Sequence, residues 1–270
     1  MDLMSVTTDF KSLEKKYENF TAYAVEIKVG STKLMAGKDL DITSTEVELT
    51  SGYEASGCVF ILESIYDIEK TDFCADISAI QIGEKVEVFV GYVRQELVFQ
   101  GYINQIDYEY GMDSETFKIR VECMDDKGLL MKNRRLEFFT EKSADAVVKK
   151  ILSEAPASNY LAGKEIDTCP EEDIPLRSHM MTDYELIVEQ ASKQGYEFFI
   201  IQGKAYFRKK QKVTSTVLKM SPKNGILGAR LSLSGQKLVK KVEVRSIDEE
   251  NGIPCKITLS YSPICKMGIV

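Results

Sequence analysis

Histidine is nearly absent from this sequence: His179 is the only one in 270 residues. Acid–base catalysis near neutral pH leans on imidazole more than on any other side chain, so that route has one candidate. His179 sits in Arg177-Ser178-His179-Met180, just ahead of an expected helix, where a surface or packing role is the simpler expectation. No serine stands in G-x-S-x-G, and no G-x-x-x-x-G-K-[ST] run is present. Those two absences remove the nucleophile elbow and the phosphate loop. The six cysteines, Cys58, Cys74, Cys123, Cys169, Cys255 and Cys265, contain no C-x-x-C pair. Zinc wants clustered thiolates or imidazoles, so no metal site is expected. Several cysteines have apolar neighbours, as in Gly57-Cys58-Val59-Phe60, and buried free thiols in a reducing compartment are expected.

Other absences narrow the choice further. The start, Met1-Asp2-Leu3-Met4, has neither a basic nor an apolar leader segment, and no apolar run approaches the ~20 residues that span a bilayer. Folding in the cytosol, with no membrane-spanning segment, is expected. Lysine and arginine number 35 against 42 acids, a formal charge of −7. Phosphate binding wants the opposite sign, so nucleic acid is a poor partner. Glu48, Glu54 and Glu63 can be imagined as a carboxylate pair for glycoside chemistry. An acidic chain offers many such pairs, and a solvated strand face is the simpler reading. No residue is therefore assigned a catalytic, cofactor-binding or metal-binding role, and no cofactor is expected.

What is present is ordinary globular material, 44% hydrophobic and 29% charged, long enough for two packed units. Residues 1–20 are polar and mixed, a short helix or a loose arm. From Ala22 the period becomes strand-like, through Val25 and Ile27 to a turn at Gly30-Ser31. Asp41–Thr50 carries Ile42, Val47 and Leu49, and Cys58–Leu62 reads as a buried strand. Residues 82–110 are the most legible: Val86, Val88 and Val90 share a face, Gly91–Glu96 turns, and Phe99, Gly101, Ile103, Ile106, Tyr108 and Tyr110 follow. After a turn at Gly111–Ser114, Phe117, Ile119, Val121 and Cys123 alternate. This is an antiparallel meander with short connections. Gly37-Lys38 and Asp125-Asp126-Lys127-Gly128 are read as charge-rich turns.

The middle of the chain changes period. Ser143 can cap a helix whose Val147, Val148, Ile151 and Leu152 share a face, with Pro156 as its stop. Residues 156–176, with Pro156, Pro170, Pro175 and the acidic Glu171-Glu172-Asp173, read as a loop. A second helix is capped by Thr182 or Asp183 and stopped by Gly195, with Leu186, Ile187 and Ala191 as its packing face. Tyr196–Ile201 and Ala205–Phe207 form a hairpin. Leu231, Leu233, Leu238, Val239, Val242 and Val244 supply further strands. Read from residues alone, the chain is two β bodies joined through helices.

The ordered signature resembles the tail-hub family of contractile injection machines, which includes VgrG and the late control D proteins. Ile82-Gly83-Glu84-Lys85-Val86-Glu87-Val88, Gly91 and Phe99-Gln100-Gly101-Tyr102-Ile103 match its "V-x-V" and "F-x-G-x-I" strands. Val121-Glu122-Cys123-Met124-Asp125-Asp126 with Leu129-Leu130 matches a strand ending in an aspartate turn. Ser143 to Leu152 is similar to "S-x-x-D-V-x-x-x-I-L". The strongest match runs from Met181-Thr182-Asp183 through Ala191 to Gly195-Tyr196-Glu197-Phe198-Phe199. Thr182 stands where serine is commoner, and Leu186-Ile187-Val188 replaces an aromatic-bearing stretch. The last match is Leu231-Ser232-Leu233 with Val239 to Val244.

The resemblance spans residues 22 to about 248 and implies a mainly β fold with α insertions: two split β-barrel-like domains joined by a helical segment. The boundaries expected are an N-terminal arm at 1–21, a first barrel at 22–126, a helical and loop segment at 127–195 and a second barrel at 196–270. It implies a structural baseplate hub that adapts a six-fold tube to a three-fold spike and is not an enzyme. The partners it implies are a homotrimer of the chain itself, a tail tube protein, a separate spike protein and baseplate proteins. Assembly in the cytoplasm and incorporation into a phage tail or injection particle would follow. The sequence stops at Met267-Gly268-Ile269-Val270, so the spike is expected from another polypeptide, or the chain is part of a longer one. A non-catalytic carbohydrate- or surface-binding β module, and a hydrolase with an unrecognised site, are the alternatives.

Overall fold

In a computed structural model the chain divides by internal packing into two units, 1–219 and 220–270. The structure describes residues 8–21, 23–34, 41–63, 66–67, 69–70, 72–73, 77–92, 95–111, 116–171, 180–210, 216–222, 224–230, 232, 241–247 and 252–260. Ala22, the Gly37-Lys38 turn, Cys74, residues 112–114, Glu172, Asp173, Pro175, His179, Leu231, Leu233, Leu238, Val239 and Cys265 lie outside the described residues.

The first unit is built on an antiparallel sheet of seven strands: β1 (Ala24–Val29), β2 (Thr32–Leu34), β3 (Asp41–Glu48), β4 (Gly57–Glu63), β5 (Lys85–Gly91), β6 (Glu96–Gly111) and β7 (Thr116–Met124). Their order across the sheet is β2-β1-β5-β6-β7-β4-β3, so the sheet is open, with β2 and β3 at its edges. One face carries the core: Ile27, Val29, Cys58, Phe60, Leu62, Val86, Val88, Phe99, Ile103, Ile119, Val121 and Cys123 are all buried. β4 alternates in burial; Val59 and Ile61 stay half-exposed, and the strand is covered on one face only. The opposite face is charged and wet, with Lys118 bonded to Glu63 at 2.8 Å and Lys85 to Glu87 at 3.1 Å. Water screens such exposed pairs, and they add little to stability.

Three extra residues correct the phase of the apolar pattern. Ile42 and Val47 are five positions apart, which in a regular strand places them on opposite faces. Thr43 is bulged out of the β3–β4 ladder, so Ile42 faces Leu62 and Val47 faces Cys58 on the core side. Asn104 does the same in β6: Ile103 meets Cys123 and Ile106 meets Val121. Val98 is the third, between the Val88–Phe99 and Phe89–Leu97 pairs. Each bulge also sharpens the local twist.

An arm precedes the sheet. Helix α1 (Phe10–Lys16) is capped by Asp9, whose carboxylate accepts from the Ser12 amide at 2.8 Å. It buries no residue and leans on the sheet through stacked rings: Phe20 on Tyr17 and Phe10, and Tyr92 edge-on to Phe20 at 5.1 Å. Glu18, Asn19 and Phe20 all have positive φ, at 47°, 56° and 57°.

Helix α2 (Asp126–Lys132) leaves β7 after one residue and enters a second core. That core is formed by α3 (Ala144–Ile151), α4 (Asp183–Gln194) and a three-stranded sheet: β8 (Gly163–Ile166), β9 (Tyr196–Ile201) and β10 (Lys204–Lys209). β10 is central, antiparallel to β9 and parallel to β8. Thr182 is the cap of α4, in a reciprocal box with Glu185, and Gly195 closes it in the left-handed conformation at φ 67°. Leu186, Ile187 and Ala191 pack against Phe198, Ile200 and Phe207, the face expected from the 3.6-residue period. Ser143 stands at the start of α3 but makes no capping bond, and α3 ends at Ile151, ahead of Pro156. Pro156 is therefore not what stops it; residues 152–154 already close the last turn through backbone bonds.

The described sheets are not closed into barrels, and the two β bodies differ: seven antiparallel strands in one, three mixed strands in the other. The second unit contains a two-stranded ribbon, β11 (Lys241–Ile247) antiparallel to β12 (Pro254–Ser260). Val242, Val244 and Ile257 share one face and are all exposed; Glu243 on the other is bonded by Arg245 and Lys256. No helix among the described residues is long and apolar enough to cross a membrane.

Two substitutions test this packing. Leu186→Asp places a charge in the second core and is expected to lower stability by ~3 kcal/mol or more in urea titration; an unchanged midpoint would contradict the burial described. Gly101 lies where a Cβ would run into the carbonyl of Met124 on β7. Gly101→Ala must push two backbones apart, and a loss of ~2–4 kcal/mol is expected, with Gly228→Ala, open on all sides, as the neutral control.

Candidate functional site

The densest concentration of buried charge lies where the seven-stranded sheet hands over to the second core. Asp125, directly after β7, caps α2 by accepting from the Lys127 amide at 3.1 Å, while its own amide donates to Ser56 O at 2.9 Å. Asp126 and Lys127 follow, and both are fully buried. The Lys127 ammonium donates to the carbonyls of Thr50 at 2.7 Å and Glu54 at 2.8 Å, and lies 3.9 Å from the Asp125 carboxylate. It thereby holds the loop between β3 and β4 onto the start of α2. Tyr184 of α4 closes the same loop from the other core, donating to Gly52 O at 3.0 Å.

Asp125-Asp126-Lys127-Gly128, expected as a charge-rich turn, is instead the buried cap and first turn of α2. The turn is interior, because the strand before it and the helix after it each belong to a core. Burial depresses the Lys127 ammonium, with Asp125 acting against that shift. Burial also raises Asp125, against the pull of Lys127. Asp126 is pushed up to about 8 by burial and then by the Asp125 charge, with Lys85 opposing. Neither Asp126 oxygen has a hydrogen-bond partner, nor do the Tyr102 hydroxyl and the Gln190 amide, also buried. Burial, with Asp126 and Asp125 nearby, pushes Tyr102 up to about 12.

A second polar node braces the helices. Arg135 grips Asp183, the first residue of α4, through Nε at 2.7 Å and Nη2 at 3.2 Å. Its Nη1 reaches Glu137 at 2.8 Å and Glu154 at 2.6 Å. Asn133 completes the arrangement with a bond to Asp183 at 2.5 Å. Asp183, singled out as a possible cap, is thus an ion-pair partner instead. Further bonds join the cores: Gln100 Nε2 to Tyr160 O and Gln202 Nε2 to Leu97 O, both 2.6 Å.

The imagined carboxylate pair is not assembled. Glu48 and Glu63 lie at opposite ends of the β3–β4 ladder, Glu63 paired with Lys118, and Glu54 contributes only its carbonyl to Lys127. Cys58 and Cys123 are buried, Cys169 is half-buried and Cys255 exposed, all as free thiols. Among the described residues no group of three or more histidine, cysteine or acidic side chains is placed to hold a metal. Arrangements of this kind position backbone and exclude water. The sequence carries no local signal for either Lys127 or Arg135, whose partners lie far along the chain.

A family model described as the Alg8 N-terminal domain matches residues 26–262. The chain belongs to that family. No curated protein matches it in sequence. In fold it is similar to the 43 kDa tail protein of prophage MuSo2 from Shewanella oneidensis, with 16% identity and a TM-score of 0.66 over 91% of this chain and 71% of that one. It is also similar to the tail protein from Neisseria meningitidis MC58, with 14% identity and a TM-score of 0.62 over 91% of this chain and 69% of that one. The family description names a domain and no reaction. The two structures establish a likeness of fold to phage tail proteins.

The buried acid gives a pH prediction. Asp126 titrates near 8 when folded, against an ordinary value of 3.8. Between those values the unfolded chain releases a proton that the folded chain keeps, so this group's contribution to stability falls as pH rises from about 4 to about 8. Asp126→Asn is expected to match the native protein near pH 4 and exceed it by roughly 3–5 kcal/mol near pH 8. Urea midpoints of both proteins across that range are the check; an offset that does not grow with pH would contradict it.

Proposed function

We propose that this chain is a structural, non-catalytic subunit of a contractile tail or injection particle, at the hub position where a six-fold tube meets a three-fold spike. One observation carries the reading: a match in fold over 91% of the chain to two phage tail proteins, both with TM-scores above 0.6. The sequence motifs of tail hubs, running in order from Ile82 to Val244, support it independently of the fold. So does the character of the buried charge, which is spent on joining two cores.

On this reading the seven-stranded sheet is the first split barrel and the three-stranded sheet begins the second. Three copies of the chain surround a channel, a tail tube protein stacks on one side, and a separate spike protein and baseplate proteins engage the others. Assembly takes place in the cytoplasm before incorporation into the particle. Barrel contacts alone must overcome the entropy of association, so the trimer is concentration-dependent and is driven forward by the spike.

Sedimentation over a wide concentration range, with and without the cognate spike and tube proteins, tests this. A monomer–trimer equilibrium shifted to trimer by the spike is expected. A stable dimer, or a monomer indifferent to the spike, would sink the hub assignment. Glycan binding by a clean monomer would favour a surface-binding module, and turnover on a peptidoglycan panel would favour a hydrolase.

A further inference from the structure

Cys58 on β4 and Cys123 on β7 are register partners, directly opposed across adjacent antiparallel strands. Both are free, both are buried, and both belong to the core face of the seven-stranded sheet. Opposed residues in such a ladder have Cα atoms about 4.5–5.5 Å apart, inside the ~4.4–6.8 Å that a disulfide spans. Their Cβ atoms, typically ~4.5–5.5 Å apart, need to close by about 1 Å to reach the ~3.8 Å of a bridge. The bulge at Asn104, beside Cys123 on the other flank of β7, leaves that end of the strand room to adjust. The other described cysteines have no such partner in register: Cys169 packs at the rim of the second core, and Cys255 faces Ser246 on the ribbon.

A pair of small apolar fillers would satisfy the packing equally well as alanines or valines. What two facing thiols add is a crosslink available once the two strands close by about 1 Å. We propose that Cys58 and Cys123 are a latent cross-strand disulfide, kept as thiols under reducing conditions and bridged when the protein meets a small-molecule disulfide oxidant. One thiolate attacks a sulfur of the oxidant, forming a mixed disulfide and expelling one reduced thiol. The second thiolate then attacks the protein sulfur and expels the other. Two protein S–H groups are oxidised, the oxidant's S–S bond is reduced, and the two protons end on the released thiols.

The packed core face of the sheet resists this chemistry. Burial pushes the Cys58 thiol up to about 12 and raises Cys123 further, so the thiolate is scarce. Access depends on β3, the edge strand that lies against β4 with Val47 opposite Cys58. Transient fraying of that edge exposes Cys58, so bridging is slow and gated by local opening. Once formed, the bond prevents β4 and β7 from separating.

The whole chain incubated with oxidised glutathione at pH 8, with and without sub-denaturing urea, then alkylated, digested and analysed by mass spectrometry, decides the matter. A peptide linked through Cys58 and Cys123 is expected to accumulate over hours, faster with urea. With it the thermal midpoint should rise by on the order of 10 °C, reversed by dithiothreitol. Cys58→Ala and Cys123→Ala should abolish both signals. The linked peptide is read in the native sequence, so a variant that fails to fold leaves the result intact. Both thiols remaining alkylatable in the urea arm, glutathione capping without a bridge, or bridges to other cysteines would overturn the proposal.

Discussion

The ammonium of Lys127 is the point on which the first unit turns. Placing an unsolvated cation inside a protein costs several kcal/mol unless every donor finds an acceptor. Here two backbone carbonyls, Thr50 and Glu54, accept hydrogen bonds from it, with the Asp125 carboxylate close by. Those carbonyls belong to a connecting loop that would otherwise leave polar backbone facing the interior. The exchange is mutual: the loop satisfies the lysine, and the lysine fixes the loop. Because Lys127 lies in the first turn of α2, the same bond sets the direction in which the chain leaves the sheet.

Around this bond the two cores are joined by directional polar contacts: Gln100, Gln202 and Tyr184 each reach a carbonyl across the seam, and Asp126 lies buried where the sheet leads into α2. Directional bonds fix an angle between bodies more sharply than oil-like packing does, since their energy falls off steeply with misalignment.

Much of the sheet was legible. Val86, Val88, Ile119 and Val121 alternate strictly, and alternation is what a half-buried strand imposes. The α4 helix was legible from its caps and its Leu186–Ile187–Ala191 face. The bulges at Thr43, Val98 and Asn104 were not, because a single skipped residue appears in sequence only as a broken parity. Nor was the buried seam. The acceptors for Lys127 lie 77 and 73 residues away, and nothing local distinguishes a lysine in water from one facing carbonyls. The same holds for Arg135, whose partner Asp183 is 48 residues on.

The arm bears on how the molecule meets a protease. Glu18, Asn19 and Phe20 form an unbroken left-handed stretch without a glycine. Each such residue carries on the order of 1 kcal/mol of backbone strain. Among the described residues the arm is held by ring contacts with Tyr92, a short parallel pairing of Thr8 and Asp9 with Leu218 and Lys219, and a salt bridge from Lys16 to Glu96 that is half in water. The arm's helix buries no residue, so the arm is held more weakly than either core. Limited digestion should therefore nick the chain between α1 and β1 well before either core yields a fragment, trimming the arm and sparing the sheet it rests on.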